Sequence, residues 1–251
     1  MALYMNGQEI SQSSGVPISG VGATEPYIEE IYNPDGQLIS INMHGYDAIR
    51  NYMFSDCPNL ALNSLPNSIT SIGKYAFQNC SNLALTSLPS GVTSIGSYAF
   101  YGCSNLALTS LPSGITNISA YAFYGCPKLA FTSLPSGITS IGVGAFQKCT
   151  KLAFTSLPSG ITSIGVGAFQ KCTKLALTSL PSSITSIGIN AFEKCTGLTS
   201  ITFTGKPTSI ANNAFNGCTN LTTINVPWAN GAVANAPWGA TNATINYGYT
   251  G

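Results

Sequence analysis

The chain has few charged side chains. Only 7% of its 251 residues are charged, whereas an ordinary soluble domain has about 25%. It contains one histidine, His44, and after Asp56 its only acidic residue is Glu193. Catalysis by paired carboxylates needs two acids, and a histidine base needs a nucleophile and an orienting acid beside it. We therefore expect neither an enzyme nor a cofactor site.

The sequence also lacks long apolar runs and a visible export signal. No stretch of about 20 apolar residues is present, so no membrane insertion is expected. The N-terminus, MALYMNGQEISQSSG, has neither the basic region nor the apolar core of a signal peptide. We expect that an export signal has been removed or that the protein leaves its cell by another route.

Acidic and basic residues are unevenly distributed. Residues 1–56 contain seven acids and one cation, Arg50, whereas residues 57–251 contain eight lysines and one acid, Glu193. The formal net charge of +1 does not favour binding to nucleic acid, although a local basic patch can still form.

Eight cysteines recur at a constant interval of 23 residues. A phenylalanine lies three residues before each cysteine and a leucine three residues after it, and residues 129–151 are identical to residues 152–174. A period kept without insertion over eight units is typical of a solenoid, in which each unit stacks on its neighbour. The cysteines are Cys57, Cys80, Cys103, Cys126, Cys149, Cys172, Cys195 and Cys218.

The same interval limits what the cysteines can do. Stacked units place the thiols in a line, whereas zinc needs four converging ligands. Disulfides between neighbouring coils are compatible with the spacing, but stacked side chains point in the same direction. Because free cysteine is among the most buried residue types, we expect a buried row of reduced thiols.

Each unit contains two short extended segments and a turn. The segment LALTSLP (residues 83–89) or LAFTSLP predicts a short strand whose first, third and sixth residues face inward and which proline ends. A glycine turn and a second extended segment, ITSIG, follow it. The AFxxC segment suits a single helical or 3₁₀ turn that closes the coil. The sequence therefore predicts about eight coils of an α/β repeat.

This pattern resembles the BspA-like leucine-rich repeat of bacterial surface proteins. The similarity lies in AFxxCxxL, followed by a leucine or isoleucine strand, proline and I/VTSIG, over about residues 46–228. Five middle units depart from the family's more usual LxxIxIP, which LTSITF (198–203) and LTTINVP (221–227) match. The resemblance implies a leucine-rich-repeat solenoid with a parallel β-sheet, short strands and short helical turns. It also implies a cell-surface or secreted protein that binds or adheres to a host, matrix or microbial partner.

Both ends of the chain depart from the repeat. The N-terminal segment is rich in Gly and Ser, and Asn33-Pro34-Asp35-Gly36 is a strong turn sequence between two predicted strands. At the other end, Trp228 and Trp238 are expected to cover the last coil. The predicted boundaries are 1–25 for a flexible leader, 26–45 for an N-terminal capping hairpin, 46–228 for the solenoid and 229–251 for a C-terminal cap.

Lysines and tyrosines recur at fixed positions on the predicted surface. Stacking in register would place like charges about 5 Å apart, an arrangement that an anionic partner relieves. Solubility and copying by duplication are the alternative explanation for the lysines. The tyrosines either add aromatic contacts or pack between coils. The candidate contact residues are Lys128, Lys148, Lys151, Lys171, Lys174, Lys194, Tyr75, Tyr98 and Tyr121.

Two functions fit this sequence. The first is a monomeric, non-enzymatic binding or adhesion module for a protein or an anionic glycan surface. The alternative is a structural spacer or assembly element of a cell surface or phage tail, in which the acidic head of one copy contacts the basic body of the next. Rows of Thr and Ser also occur on ice-binding solenoids, but mixed Ser and Thr are found on any solvated, twisted β-surface.

Overall fold

Two antiparallel strand pairs precede the repeats. The computed structural model describes residues 3–5, 8–10, 27–32, 34 and 38–251. The rest of the predicted leader, and Asn33, Asp35 and Gly36 of the predicted turn, lie outside the described residues. Ile28 and Met43 pack against the apolar core of the repeats. The paired strands are β1 (Leu3–Met5) with β2 (Gln8–Ile10), and β3 (Tyr27–Tyr32) with β4 (Leu38–His44).

One isoleucine of each unit builds the longest row of strands. The side chain is buried, and neighbouring strands are parallel and in register, so that Ile164 lies opposite both Ile141 and Ile187. Isoleucine favours this pleated, half-buried setting. Stacking of the units gives a parallel-strand β-solenoid of about nine turns. The strands are β5 (Ala48–Ile49), β6 (Ser71–Ile72), β7 (Ser94–Ile95), β8 (Asn117–Ile118), β9 (Ser140–Ile141), β10 (Ser163–Ile164), β12 (Ser186–Ile187) and β14 (Ser209–Ile210).

The row is interrupted between β7 and β8. In most units a glycine follows the isoleucine, and its N–H donates to the preceding coil, as Gly142 N does at 2.8 Å. Ser119 occupies this position beside the interruption, and its Oγ donates to Ile95 O at 2.6 Å. Ala211 has a Cβ but no hydroxyl, and its N–H still reaches the preceding coil at 3.0 Å. A Cβ at this position therefore does not remove the backbone bond. At Ser119 the hydroxyl group supplies the bond to the preceding coil.

A second row of parallel strands forms only in the C-terminal units. The prediction of a strand in every LALTSLP or LAFTSLP segment is wrong for the four segments that begin at Leu83, Leu106, Leu129 and Leu152. Their predicted inward residues are buried. The same LALTSLP sequence at residues 175–181 forms a strand at Ser179–Leu180, where it pairs with Thr202 and Phe203 of the next coil. The strands of this row are β11 (Ser179–Leu180), β13 (Ser200–Phe203), β15 (Thr223–Val226) and β16 (Thr244–Tyr247).

The segment before each cysteine is a turn and not a helix. The described residues contain no helix, so the prediction of short helical turns is wrong. Two residues of the segment have left-handed φ angles, such as +57° at Gly144 and +65° at Lys148, which a right-handed helix excludes. Gln147 N donates to Gly144 O within the turn, but Lys148 N donates to Gln170 O of the next coil. The coil is thus closed by bonds to its neighbour.

The inward side chains form one continuous apolar core. The phenylalanine before each cysteine is buried, and its ring stacks on the next with centroids 5.1–5.6 Å apart. From Cys80 onward each cysteine is buried and its Sγ donates to a phenylalanine carbonyl of the preceding coil, as Cys172 does to Phe146 O at 3.0 Å. All eight cysteines are free. The predicted buried row is confirmed for seven; Cys57, in the first coil, is only half-buried.

Cys57 should be the only thiol that a thiol reagent modifies in the native protein. Burial raises the pKa of all eight thiols, to about 12 for Cys103 and Cys149, and the thiolate is the reactive form. Cys57 should therefore react slowly at pH 7 and faster as the pH rises. Mass spectrometry after brief labelling should count one modified cysteine, and none in the Cys57→Ser protein. Labelling of several cysteines in that variant would contradict the buried row.

Two tryptophans close the C-terminal end. Trp238 is fully buried and Trp228 is 6% exposed, and their ring centroids lie 6.1 and 5.3 Å from that of Phe203. Trp238 O accepts a hydrogen bond from Phe215 N at 2.9 Å, a bond that the next coil supplies elsewhere. Trp238 Nε1 donates to Ala234 O at 2.8 Å. The irregular tail thus supplies both the apolar cover and the acceptor of a further coil.

Candidate functional site

The six residues before each cysteine, such as residues 143–148 before Cys149, lie at one edge of the solenoid. We call the series of these turns the turn edge. In the seven coils from Cys57 to Cys195, the residue five before the cysteine and the residue directly before it are both left-handed, with φ between +55° and +72°. Each of these seven coils therefore presents two left-handed positions at the same edge.

One left-handed position of each coil carries a large side chain, and the other carries Gly, Asn or Asp. In the first four coils the large residue is a tyrosine five before the cysteine; in the next three it is a lysine directly before the cysteine. Left-handed backbone costs most residues about 1–2 kcal/mol but suits Gly, Asn and Asp. Six of the nine predicted contact residues are among these large residues, which are Tyr52, Tyr75, Tyr98, Tyr121, Lys148, Lys171 and Lys194.

The tyrosines form a stack along the turn edge. Their ring centroids are 4.7–4.8 Å apart from Tyr52 to Tyr121, and Tyr101 stacks on Tyr124 beside them at 4.5 Å. Sequence reasoning missed Tyr52, although it also lies five residues before its cysteine. Because each ring covers the next, the stack presents ring edges and hydroxyl groups to solvent. Burial raises the pKa of Tyr98, so its hydroxyl stays protonated and can donate.

The tyrosine-bearing and lysine-bearing parts of the turn edge meet at Tyr121 and Gly144. A Cβ at Gly144 would lie 2.3 Å from Tyr121 Cε1, because the Tyr121 ring occupies the space that a side chain of the next coil would need. The large residue of that coil is Lys148, whose Nζ lies 4.8 Å from the ring centroid of Tyr124. A hydrogen bond with Tyr124 raises the pKa of Lys148. The aromatic and basic parts of the turn edge are therefore in contact.

The six predicted lysines lie on four successive coils. Lys171 is half-buried and the other five are exposed. Lys128 Nζ donates to Asn105 Oδ1 at 2.6 Å, and Lys194 Nζ lies 3.5 Å from Glu193 Oε1. Since Glu193 is the only acid of residues 57–251, these coils carry net positive charge.

A row of hydrogen-bonded side chains lies between the two left-handed positions of the lysine-bearing coils. Gln147 Nε2 donates to Gln170 Oε1, and Gln170 Nε2 donates to Glu193 Oε2. Glu193 is only 9% exposed. Its carboxylate contacts both Gln170 and Lys194. A single negative charge neutralises the six lysines only in part.

Three exposed aliphatic side chains complete the turn edge. Val143, Val166 and Ile189 lie six residues before their cysteines and are 37%, 46% and 53% exposed. They occur in the coils that carry the left-handed lysines. Sequence reasoning missed them, although a comparison of the units at this position would have found them. The corresponding residues of the first four coils are polar or small: Asn51, Lys74, Ser97 and Ala120.

His44 and the row of threonines, which the sequence analysis also considered, make contacts within the chain. His44 Nε2 lies 3.2 Å from Glu29 Oε2, and the ring stacks on Tyr27 at 4.5 Å. Thr162 Oγ1 donates to Thr139 O of the preceding coil at 3.1 Å, and other threonines of this row do the same. In the part of the chain that the structure describes, no group of three or more His, Cys, Asp or Glu could hold a metal ion. No helix there is long and apolar enough to cross a membrane.

Comparison with solved structures found similar chains. A leucine rich cell surface protein from Faecalibacterium prausnitzii A2-165 is 29% identical, with a TM-score of 0.59, over 81% of this chain and 55% of that one. The leucine rich repeat protein of T. pallidum is 28% identical, with a TM-score of 0.48, over 79% of this chain and 81% of that one. The chain thus spans little more than half the length of the first protein. No curated protein matches it.

The family is given by the repeats themselves. Residues 47–176 and 116–235 match the model of the BspA type leucine rich repeat region. These ranges together cover most of the chain and include the phenylalanine stack and the turn edge. The chain therefore belongs to the BspA-type leucine-rich repeat family.

Proposed function

We propose that this chain is a non-enzymatic binding module of the bacterial cell surface that contacts an anionic partner, a protein or a glycan. Its family and its likeness to a protein named as a cell surface protein support the location. Net positive charge on four successive coils supports the anionic partner, since a surface of one sign attracts its opposite. The contact residues of this proposal are the six lysines, with the tyrosine stack beside them.

The placement of Lys148, Lys171 and Lys194 carries the proposal. A lysine needed only for solubility can occupy any exposed position, yet these three occupy left-handed backbone that is costly for a large side chain. Strained backbone concentrates at functional sites. Copying accounts for Lys148 and Lys171, whose units are identical. Lys194 is retained in a unit that has diverged at other positions, including Asn190 and Glu193.

The charge distribution does not favour the alternative of an end-to-end spacer. The acids Glu29, Glu30, Asp47 and Asp56 lie towards the N-terminal end of the described chain, whereas residues 207–251 contain no charged side chain. Stacking copies end to end would therefore place the acidic head against a neutral end and not against the basic coils. The basic side chains lie along the turn edge of the middle coils instead.

Heparin should bind this protein with an affinity that falls steeply as salt rises. Attraction between exposed charges is screened over about 10 Å at 0.1 M salt. Changing Lys148, Lys151, Lys171 and Lys174 to Gln should weaken binding about tenfold or more at that salt concentration. The measurement is a heparin titration by fluorescence anisotropy at several salt concentrations.

A lysine outside the turn edge provides a control. Lys206 is exposed, and changing it to Gln should leave most of the affinity in place. Melting temperatures should stay close to that of the parent, since exposed substitutions cost less than about 0.5 kcal/mol. Equal binding by the quadruple variant and the parent would contradict the proposal. The tyrosine-bearing coils would then be the better candidate for the contact surface.

A further inference from the structure

We infer that the partner is a protein segment that carries both acidic and apolar side chains, bound by a basic-aliphatic strip of the turn edge. The strip consists of Lys148, Lys171, Lys194, Val143, Val166 and Ile189. This inference rests on the proposed function and assigns the partner class and the lysines that select it.

The basic and aliphatic positions change together along the solenoid. The three coils with a lysine directly before the cysteine are the three with a large aliphatic residue six before it. In the third of these coils Ile189 replaces valine and Asn190 replaces glycine. This coil still has an aliphatic residue six before the cysteine and a lysine directly before it. An aliphatic residue six before the cysteine and a lysine directly before it therefore occur together in all three coils, two of which are identical copies.

The core does not account for the aliphatic side chains. Val143, Val166 and Ile189 are 37–53% exposed and follow one another on successive coils, and a contiguous exposed apolar patch marks an interaction surface. A heavily charged, hydrated polysaccharide offers little to cover such a column. An acidic protein segment can cover it with apolar side chains while its carboxylates meet the ammonium groups.

The two lysine rows differ in backbone conformation. Lys148, Lys171 and Lys194 are left-handed, whereas Lys128, Lys151 and Lys174 are not among the left-handed residues. The strained row, which shares its turns with the aliphatic column, is therefore the row that contacts the partner, and the other row solvates the surface.

The test uses three probes of known chemistry and three variants. The probes are a ten-residue peptide alternating Glu and Leu, a peptide alternating Glu and Ser, and heparin, each titrated at 0.15 M salt. The variants are the left-handed triple K148N/K171N/K194N, the matched triple K128N/K151N/K174N, and the aliphatic triple V143S/V166S/I189S. Asn is chosen because the chain itself has left-handed Asn79 at the same position. Circular dichroism confirms that each variant is folded.

The parent should bind the Glu-Leu peptide about tenfold more tightly than the Glu-Ser peptide. The left-handed triple should lose about tenfold in affinity for the Glu-Leu peptide, and the matched triple less than about threefold. The left-handed triple should also melt at a higher temperature than the parent, because Asn tolerates this backbone better than Lys. The aliphatic triple should bind both peptides equally.

Three outcomes would overturn the inference. Equal losses in both lysine triples would show that net charge, and not the strip, selects the partner. An unchanged preference for the Glu-Leu peptide in the aliphatic triple would remove the aliphatic column from the contact. Strong heparin binding with no peptide preference would favour an anionic glycan, so that the inference fails while the proposed function stands. Failure of all three probes to bind would contradict the proposed function as well.

Discussion

Replacing Phe146 by Ala should lower the free energy of unfolding by about 3–5 kcal/mol. The ring is fully buried and stacks between Phe123 and Phe169 at centroid distances of 5.5 and 5.6 Å. It also contacts the edge of Phe154 at 6.0 Å. Removing it leaves a cavity shared by three coils, and neighbouring coils support one another in a solenoid. Chemical denaturation followed by circular dichroism measures the loss.

An exposed residue of the next coil serves as the control for this measurement. Val166 is 46% exposed, and Val166→Ala should change stability by less than about 0.5 kcal/mol. A loss below about 1 kcal/mol for Phe146→Ala would place the ring outside the core. It would also invalidate the alignment of the repeat on which the turn edge is defined.

The second large effect should come from the C-terminal cap. Trp238→Ala should cost about 3–5 kcal/mol, the range for truncating a buried large aromatic side chain. The substitution removes the ring that packs near Phe203 and the Nε1 bond to Ala234 O. Because terminal units of a solenoid protect the exposed end of the stack, the last coils should open first. Hydrogen exchange should show this as lost protection that is strongest near Phe215.

Two further substitutions test whether the loss of stability comes from the packing of Trp238 or from any substitution in the C-terminal tail. Trp238→Phe keeps much of the apolar volume and should cost less than Trp238→Ala. Tyr249 is 41% exposed, so Tyr249→Ala should be close to neutral. Parent-like stability of Trp238→Ala would mean that the solenoid does not need this cap.

Sequence reasoning was most successful where the side-chain pattern alone determines the structure. The 23-residue period placed Phe146, Cys172 and the strand isoleucines in the core, because burial depends on apolar character at a repeating position. The period also indicated the family. The thiol–carbonyl bonds, such as that from Cys172 to Phe146 O, could not be predicted, since they depend on the distance between coils.

Backbone conformation accounts for most of what the sequence did not reveal. The AFxxC segment has the spacing of a helical turn, but left-handed residues such as Lys148 direct its N–H groups to the next coil. Gly102 and Asn79, at the same position in other units, were the available signal for this. The exposure of Val166 was missed because the units were not compared at the position six residues before the cysteine.

Ser119 determines where the solenoid should yield when its two ends are pulled apart. Most junctions in the isoleucine row are held by a backbone bond such as that of Gly142 N, whereas the junction of β7 and β8 has the Ser119 hydroxyl in its place. Force applied along the axis should therefore open this junction before the others. Tyr52, Tyr75 and Tyr98 lie on one side of it, and all six lysines of the proposed contact lie on the other. In a pulling experiment, an early extension at this junction should move Tyr52, Tyr75 and Tyr98 away from the lysines while both pieces keep their cores.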